Sequence, residues 1–118
     1  MATRANVSSW LSKRVLRTQW TDLLNGDDGS PETPGRLSDR SVQVSGTFGA
    51  GGSVTIQGSN DGTNWATLHS PTGATEPLTF TTAGILEVLE NTQYIRPIVT
   101  AGDGTTSLAV TLLSASTA

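Results

Sequence analysis

Residues 54–65 read Val-Thr-Ile-Gln-Gly-Ser-Asn-Asp-Gly-Thr-Asn-Trp, and this stretch decides the fold class. Apolar and polar residues alternate over residues 54–57, which is the period of a strand with one buried face. Asp61-Gly62 follows as a hairpin dipeptide, because a tight turn needs positive φ and this pair tolerates it. Trp65 lies in the short strand after the turn, and we expect its ring to fill the core.

Short stretches of the same alternating kind recur from residue 40 to residue 113. About six or seven strands at roughly ten-residue spacing are typical of an all-β fold, here a single β-sandwich or jelly roll. Asp103-Gly104 predicts a second hairpin turn. Pro97 cannot donate to a ladder, so its strand is expected at a sheet edge or with a bulge. Residues 85–89 fit either a short strand or one helical turn, and flanking turn residues favour the strand.

Composition divides the chain into three segments. Residues 1–24 form a basic N-terminal arm, in which residues 15–20 fit either a strand or part of an amphipathic helix. Residues 25–39 contain almost nothing apolar and are expected to be a loop or linker. Residues 40–118 form the β-sandwich domain.

Global composition excludes several classes of function. The chain has 118 residues, no Cys, one His, 14% charged residues and a net charge of −3. Disulfides and thiolate-ligated metals are therefore excluded, and the acidic balance argues against general nucleic-acid binding. No apolar run approaches the ~18 residues of a membrane span. Cations interrupt the N-terminal apolar residues, so we expect no signal peptide and a protein that is made and kept in a reducing cytoplasm, or released by lysis.

The charge is unevenly placed along the chain. The first twenty residues carry four cations and no Asp or Glu, whereas the body after residue 40 is acidic. One interpretation is a solvated tail. The other is an arm that docks on an acidic surface, because large aromatic side chains often anchor contact surfaces. Its candidate partner-binding residues are Trp10, Lys13, Arg14, Arg17 and Trp20, and packing of the two Trp on their own domain stays an open alternative.

No group of residues in the sequence predicts chemistry. A nucleophilic Ser needs a base and an orienting carboxylate, and His69 is the one imidazole. Residues 25–29 and 59–64 offer the oxygen ligands that Ca²⁺ takes, but both lack the EF-hand spacing and turns explain them. Glu87 and Glu90 fit an exposed acidic face. We therefore expect no catalytic residue, no metal and no cofactor.

Two stretches carry a resemblance to known domains. Residues 54–65, followed by Tyr94-Ile95-Arg96, are similar to discoidin-like (F5/8 type C) β-sandwiches, which place a Ser-x-Asp-Gly-x-x-Trp hairpin before an aromatic-x-Arg strand. This resemblance implies a jelly-roll sandwich. It does not transfer ligand binding, because that family binds sugars or lipids through other loops.

From Trp20 onward the chain more closely resembles head decoration (cement) proteins of tailed bacteriophages. The resemblance rests on Trp20-x-x-Leu-x-Asn-Gly-Asp, on residues 38–49 and 58–65, and on Tyr94-Ile95-Arg96-Pro97 with the turn at residues 100–104. It implies a virion protein on the capsid surface, whose partner is the major capsid protein and which self-associates as a homotrimer. No nucleic acid or membrane partner and no enzymatic activity are expected.

Two other functions stay open. A carbohydrate-binding module would need exposed aromatic side chains on the body, and at least two of Phe48, Trp65, Phe80 and Tyr94 look like core residues. A tail or head–tail connector component displayed on the virion would share the fold, and the sequence does not separate it from a head protein.

Overall fold

The structure is a computed structural model that describes residues 2–71 and 76–116. This part of the chain forms strands and contains no helix, so it has no helix that could cross a membrane. The strands are β1 (Thr3–Arg4), β2 (Val7–Ser12), β3 (Val15–Leu23), β4 (Asp28–Gly29), β5 (Asp39–Thr47), β6 (Ser53–Ser59), β7 (Ala66–Thr67), β8 (His69–Ser70), β9 (Glu76–Pro77), β10 (Thr79–Phe80), β11 (Gly84–Glu87), β12 (Tyr94–Ala101) and β13 (Ser107–Ala115).

The strands form two main sheets. Sheet I has the order β1-β4-β12-β6-β10, with β7 also paired to β6, and sheet II has the order β11-β5-β13-β3-β2. β8 and β9 form a small separate pair. Without β1 and β2, each main path has four strands, and the chain repeatedly crosses from one sheet to the other. This is the arrangement of a jelly roll, so the predicted all-β sandwich fold is confirmed.

The core lies between the two sheets because alternate residues of the long strands point inward. β13 shows this period, with Leu108, Val110 and Leu112 buried and the residues between them partly exposed. Phe80 belongs to the core, and Phe48 packs against it. The ambiguous run at residues 85–89 begins as the strand β11, as the turn residues indicated.

The N-terminal segment differs from the expected detached arm. β3 lies inside sheet II between β13 and β2, and Leu16, Trp20 and Leu23 are buried. Residues 15–20 are therefore strand and not helix, and β3 is part of the sandwich. The remainder of the expected arm extends both sheets, because β2 pairs with β3 and β1 pairs in parallel with β4.

Residues 25–39 also belong to the folded body, although their composition predicted a linker. Buried polar groups hold this segment in place. Arg40 is buried and donates hydrogen bonds to the carbonyl oxygens of Leu37 (2.8 Å), Thr92 (3.1 Å) and Gly35 (3.3 Å). Leu37 is also fully buried, so composition underestimates this segment because hydrogen bonds and only a few apolar side chains attach it.

Asp27 ties the first residues of the chain to the body. Its buried carboxylate accepts hydrogen bonds from the backbone N–H groups of Ala2 (2.9 Å) and Leu24 (3.0 Å) and from Arg4 Nε (3.0 Å). Burial alone would raise the pKa of this carboxyl, but the bonds from Leu24, Ala2 and Arg4 outweigh it and hold the pKa below its usual value. The charged carboxylate is thus the form that the fold stabilises.

The two Asp-Gly turns have different roles. Asp61-Gly62 lies in the loop between β6 and β7, which pair in an antiparallel way, so the predicted hairpin is confirmed. The predicted tight turn is not, because residues 60–65 connect the two strands and only Gly62 of the dipeptide has a positive φ (77°). Asp103-Gly104 instead joins β12 of sheet I to β13 of sheet II. Sequence spacing predicted a hairpin there because a turn between sheets uses the same residue types as a turn within one.

Pro97 lies inside sheet I, in β12, and not on an edge strand. The N–H groups of Ile95 and Val99 donate to the carbonyl oxygens of Glu32 and Asp27 on the side of the short strand β4. Pro97 lies between Ile95 and Val99 in the sequence, at the position where a further hydrogen bond on this side of β12 would need an N–H group. β12 also has an irregular register between Val99 and Ala101. The missing donor is therefore tolerated because the neighbouring strand is short.

Candidate interaction surface

The β2–β3 hairpin carries the exposed apolar and basic side chains that the sequence singled out. Every residue of β2 is exposed, including Trp10 (59% exposed) and Leu11 (53%). The turn at residues 13–14 is held by a hydrogen bond from the Arg14 N–H to Ser12 Oγ (3.3 Å). β2 is an edge strand, so it projects these side chains beyond the body on a fixed frame.

Trp20 is a candidate contact residue that the structure removes, and Arg17, another candidate, is partly buried and lies on the opposite side of the hairpin from Trp10. The Trp20 side chain is 1% exposed and belongs to the core, and its Nε1 donates a hydrogen bond to the Ser30 carbonyl oxygen (2.9 Å). The expectation that Trp20 binds a partner is therefore wrong for this fold, and the alternative that it packs on its own domain is correct. The backbone of Gly29 lies so close to the ring that an added Cβ would be 2.5 Å from Trp20 Cδ1.

Trp10 and Lys13 border an open pocket of about 390 Å³ that Ser12 and Arg36 complete. We name these four residues the Trp10 pocket. Arg36 lies in the segment that composition assigned to a linker, so no sequence signal connected it with the hairpin. The pocket lining thus combines an aromatic ring with two cationic side chains.

The cations of the hairpin are free of internal ion pairs. Within residues 2–71 and 76–116, the ion pairs are Arg4–Asp27, His69–Glu90 and Arg96–Asp28. Lys13, Arg14 and Arg36 belong to none of them and are exposed. Because the chain as a whole has a net charge of −3, this end of the molecule stands out as a basic patch.

His69 and Glu90 form a structural pair beside the end of β11. The Glu90 carboxylate is 2.6 Å from His69 Nδ1 and accepts the His69 backbone N–H at 2.7 Å. Burial works against ionisation of Glu90, but these bonds prevail and lower its pKa. No cluster of three or more metal-ligating side chains exists among the residues that the structure describes.

The loop of residues 59–64 uses its carboxylate to close a turn. Asp61 accepts hydrogen bonds from the backbone N–H groups of Thr63 and Asn64 (both 2.8 Å), from Asn64 Nδ2 (2.8 Å) and from Ser59 Oγ (2.9 Å). The bonds from Asn64 make the largest contribution to a strongly lowered pKa of this carboxyl. These contacts support the turn interpretation of the loop, because the loop itself uses both carboxylate oxygens.

Trp65 is not a core residue, contrary to expectation. Its side chain is half-buried, with the Arg96 guanidinium carbon 4.0 Å from the ring centroid and the Tyr94 ring centroid 6.4 Å away. Arg96 also donates to Gln57 Oε1 and lies 3.6 Å from an Asp28 oxygen. The sequence predicted a buried ring because it could not show that the ring stacks on a cation instead.

Comparison with known proteins gives a fold and no family. No family model matches the chain, and no curated protein matches it. Its fold is similar to that of the SPBc2 prophage-derived protein YomS, with a TM-score of 0.66, 10% identity, and coverage of 92% of this chain and 100% of that chain. Weaker likenesses include BH2720 from Bacillus halodurans (TM-score 0.48, 13% identity, 98% and 74% coverage) and a cupin domain from Bordetella pertussis Tohama I (TM-score 0.47, 14% identity, 98% of each chain).

Proposed function

We propose that this chain is a structural virion protein of a tailed bacteriophage, a capsid decoration protein that binds the outer surface of the head and stabilises it by bridging coat subunits. The Trp10 pocket carries the proposal, because its lining combines an exposed aromatic ring with two cations that form no ion pair in the described part of the chain. The partner is an acidic segment of the major capsid protein. The protein is made in the host cytoplasm and located on the capsid surface, and it catalyses no reaction.

The chemistry of the pocket suits a protein partner. A Trp side chain offers a large apolar surface at a low cost in conformational entropy, and such residues dominate binding energy at interfaces. Lys13 and Arg36 would pair with carboxylates of the partner and speed its association. Since a capsid presents many equivalent sites, self-association of the protein would sum modest contacts into high avidity.

The fold supports a virion role. YomS, which has a similar fold over its whole length, is described as prophage-derived. The sequence motifs shared with head decoration proteins lie at turns and strands of the jelly roll. Together these likenesses favour a phage structural protein, and the Trp10 pocket adds a docking site.

The aromatic residues of sheet I and its neighbouring loop give little support to the alternative that the protein binds carbohydrate. Sugar stacking needs an open aromatic face. Trp65 has one face under Arg96 and its ring beside Tyr94, so these aromatic residues support each other. A tail or head–tail connector protein could have the same fold as a head protein. The co-sedimentation experiment below distinguishes the two.

Co-sedimentation with purified undecorated capsids and with isolated tails tests the proposal. We expect the protein to pellet with capsids only and to raise their heat resistance. W10A and the double variant K13E/R36E should each weaken binding at least about tenfold, because a central aromatic anchor is commonly worth more than ~1.4 kcal/mol. L89A is the matched control, since Leu89 is also an exposed apolar residue (47%) but lies away from the pocket.

Binding to capsids should also weaken as salt is raised, because exposed ion pairs are screened. Failure of the wild-type protein to pellet with capsids would overturn the proposal, and pelleting with tails would assign it to the tail. Equal binding by W10A, K13E/R36E and L89A would show that the Trp10 pocket is not the docking site.

A further inference from the structure

The outer face of sheet II is a second surface, separate from the Trp10 pocket. Alternate residues of β2 point to opposite sides, so Leu11 lies on this face while Trp10 points to the other side. Ile85 of β11 is 61% exposed and Leu113 of β13 is 36% exposed on the same face. The face therefore bears large apolar side chains from both of its edges and from its middle.

Two neighbouring depressions, which share Ser41 and Leu113 in their linings, lie on this face. One, of about 280 Å³, is lined by Leu11, Arg17, Ile85 and Leu113 together with neighbouring polar residues. The second, of about 360 Å³, is lined by Glu87 and shares Leu113 with the first. Side chains of β2 and β11, the two edge strands, thus border this pair of depressions.

Two charged groups lie in one cross-strand row of this surface. Register places Glu87 opposite Ser41, Ser41 opposite Leu113, and Leu113 opposite Arg17. Arg17 and Glu87 are therefore three strand spacings apart, or ~14 Å. Neither belongs to an ion pair in the described part of the chain, and the buried Arg17 Nε has no hydrogen-bond partner there. An unpaired donor in an apolar surface is costly unless a partner supplies an acceptor.

We propose that this face is where two copies of the chain meet, with Arg17 of one copy against Glu87 of the partner subunit. A two-fold axis along the strands, between β5 and β13, brings the two groups together twice, because they lie at equal distances on either side of it. Leu113, near the axis, then packs in the centre of the contact. Arg17 and Glu87 placed in this way are complementary across the axis, which is the requirement for a two-fold interface. Asp39, in the next row of the same face, is exposed and lies beside Glu87 in the second depression.

The size of the face fits a stable contact between copies. Three nine-residue strands, one six-residue strand and one four-residue strand, at ~4.8 Å spacing and ~3.3 Å per residue, give a face of ~600 Å². A standard protein interface buries ~800 Å² on each partner. The inference does not depend on binding to capsids, because it uses a different set of side chains.

Light scattering of the purified full-length protein, coupled to size exclusion, tests this contact. We expect the wild-type protein to have twice the 12.3 kDa mass of one chain. R17E and E87R should each raise the dissociation constant at least about tenfold and elute as monomers. An equimolar mixture of the two variants should return to the double mass, because each mixed pair contains opposite charges at both contacts.

R36E and E76R serve as charge-matched controls and should keep the double mass, since Arg36 and Glu76 are exposed outside this face. R36E should at the same time lose affinity for capsids, because Arg36 belongs to the Trp10 pocket. A failure of the proposed dimer therefore changes the light-scattering mass, whereas a failure of the proposed function changes capsid binding. Far-UV circular dichroism of each variant checks folding.

A second measurement does not depend on charge reversal. A mixture of R17C and E87C chains should be linked by a thiol crosslinker that spans ~10 Å, the distance between facing sheets, whereas R17C alone should not. A wild-type protein with the mass of one chain or of the homotrimer that the resemblance implies, an assembly that R17E and E87R leave unchanged, or the absence of the mixed crosslink would overturn the inference.

Discussion

Replacing Trp20 by Ala tests whether the N-terminal strand is part of the sandwich. Trp20 is 1% exposed, so folding removes nearly all of its side chain from water. A buried Trp removes ~200 Å² from water, which at ~25 cal/mol/Å² is ~5 kcal/mol, and measured Trp→Ala changes in cores cost ~3–5 kcal/mol. The lost hydrogen bond to the Ser30 carbonyl adds ~1 kcal/mol. We expect W20A to lose ~4–6 kcal/mol of unfolding free energy, a large part of the ~5–15 kcal/mol typical of a domain.

Trp10 supplies the internal control, because it is the same residue type on the same hairpin but 59% exposed. Less than half of its area is buried, so W10A should cost less than ~2 kcal/mol. Urea unfolding followed by far-UV circular dichroism measures both variants without relying on the altered Trp fluorescence. W20F should fall between them, since it keeps most of the ring and loses the donor. Equal losses in W20A and W10A would refute the placement of β3 inside sheet II.

Three further predictions concern the attachment of the N-terminal segments. G29A should lower stability by ~1–3 kcal/mol because its Cβ would lie 2.5 Å from Trp20, whereas G104A, which has open space around it, should be nearly neutral in the same thermal melt. D27N should lower stability at neutral pH. Because the folded-state pKa of Asp27 is lowered, its stabilisation is complete above the usual value of 3.8 and is lost as pH falls through the lower folded pKa, so the wild-type and variant unfolding curves should converge in acid. Deleting residues 1–24 should abolish cooperative unfolding, and a variant that still melts cooperatively would contradict the position of β3.

The sequence predicted the fold well where local patterns carry the information. Residues 40–113 alternate between apolar and polar types, so their strands and the sandwich class followed directly. β3 was harder because its inward face includes Thr18, a polar residue that is fully buried and donates to Glu32 Oε2 at 2.6 Å. The partner that makes this burial possible lies fourteen residues further along the chain. A local pattern cannot show such a contact.

The candidate surface was predicted in part. Trp10, Lys13 and Arg14 were singled out from charge and aromatic content, and the structure places all three exposed on one hairpin. Arg36 was missed because a segment poor in apolar residues was interpreted as a linker. Trp20 was predicted to contact a partner because the sequence around it does not show that its ring packs against the backbone of Gly29.

The central position of β13 has a consequence for how the protein is made. β13 pairs with β3 on one side and with β5 on the other, although the ribosome synthesises it after both. Until β13 emerges, the inner edges of β3 and β5 have no partner, so sheet II cannot be completed before β13 has left the ribosome. A nascent chain that lacks β13 would stay accessible to chaperones and proteases. Only chains that contain β13 can therefore reach the native state.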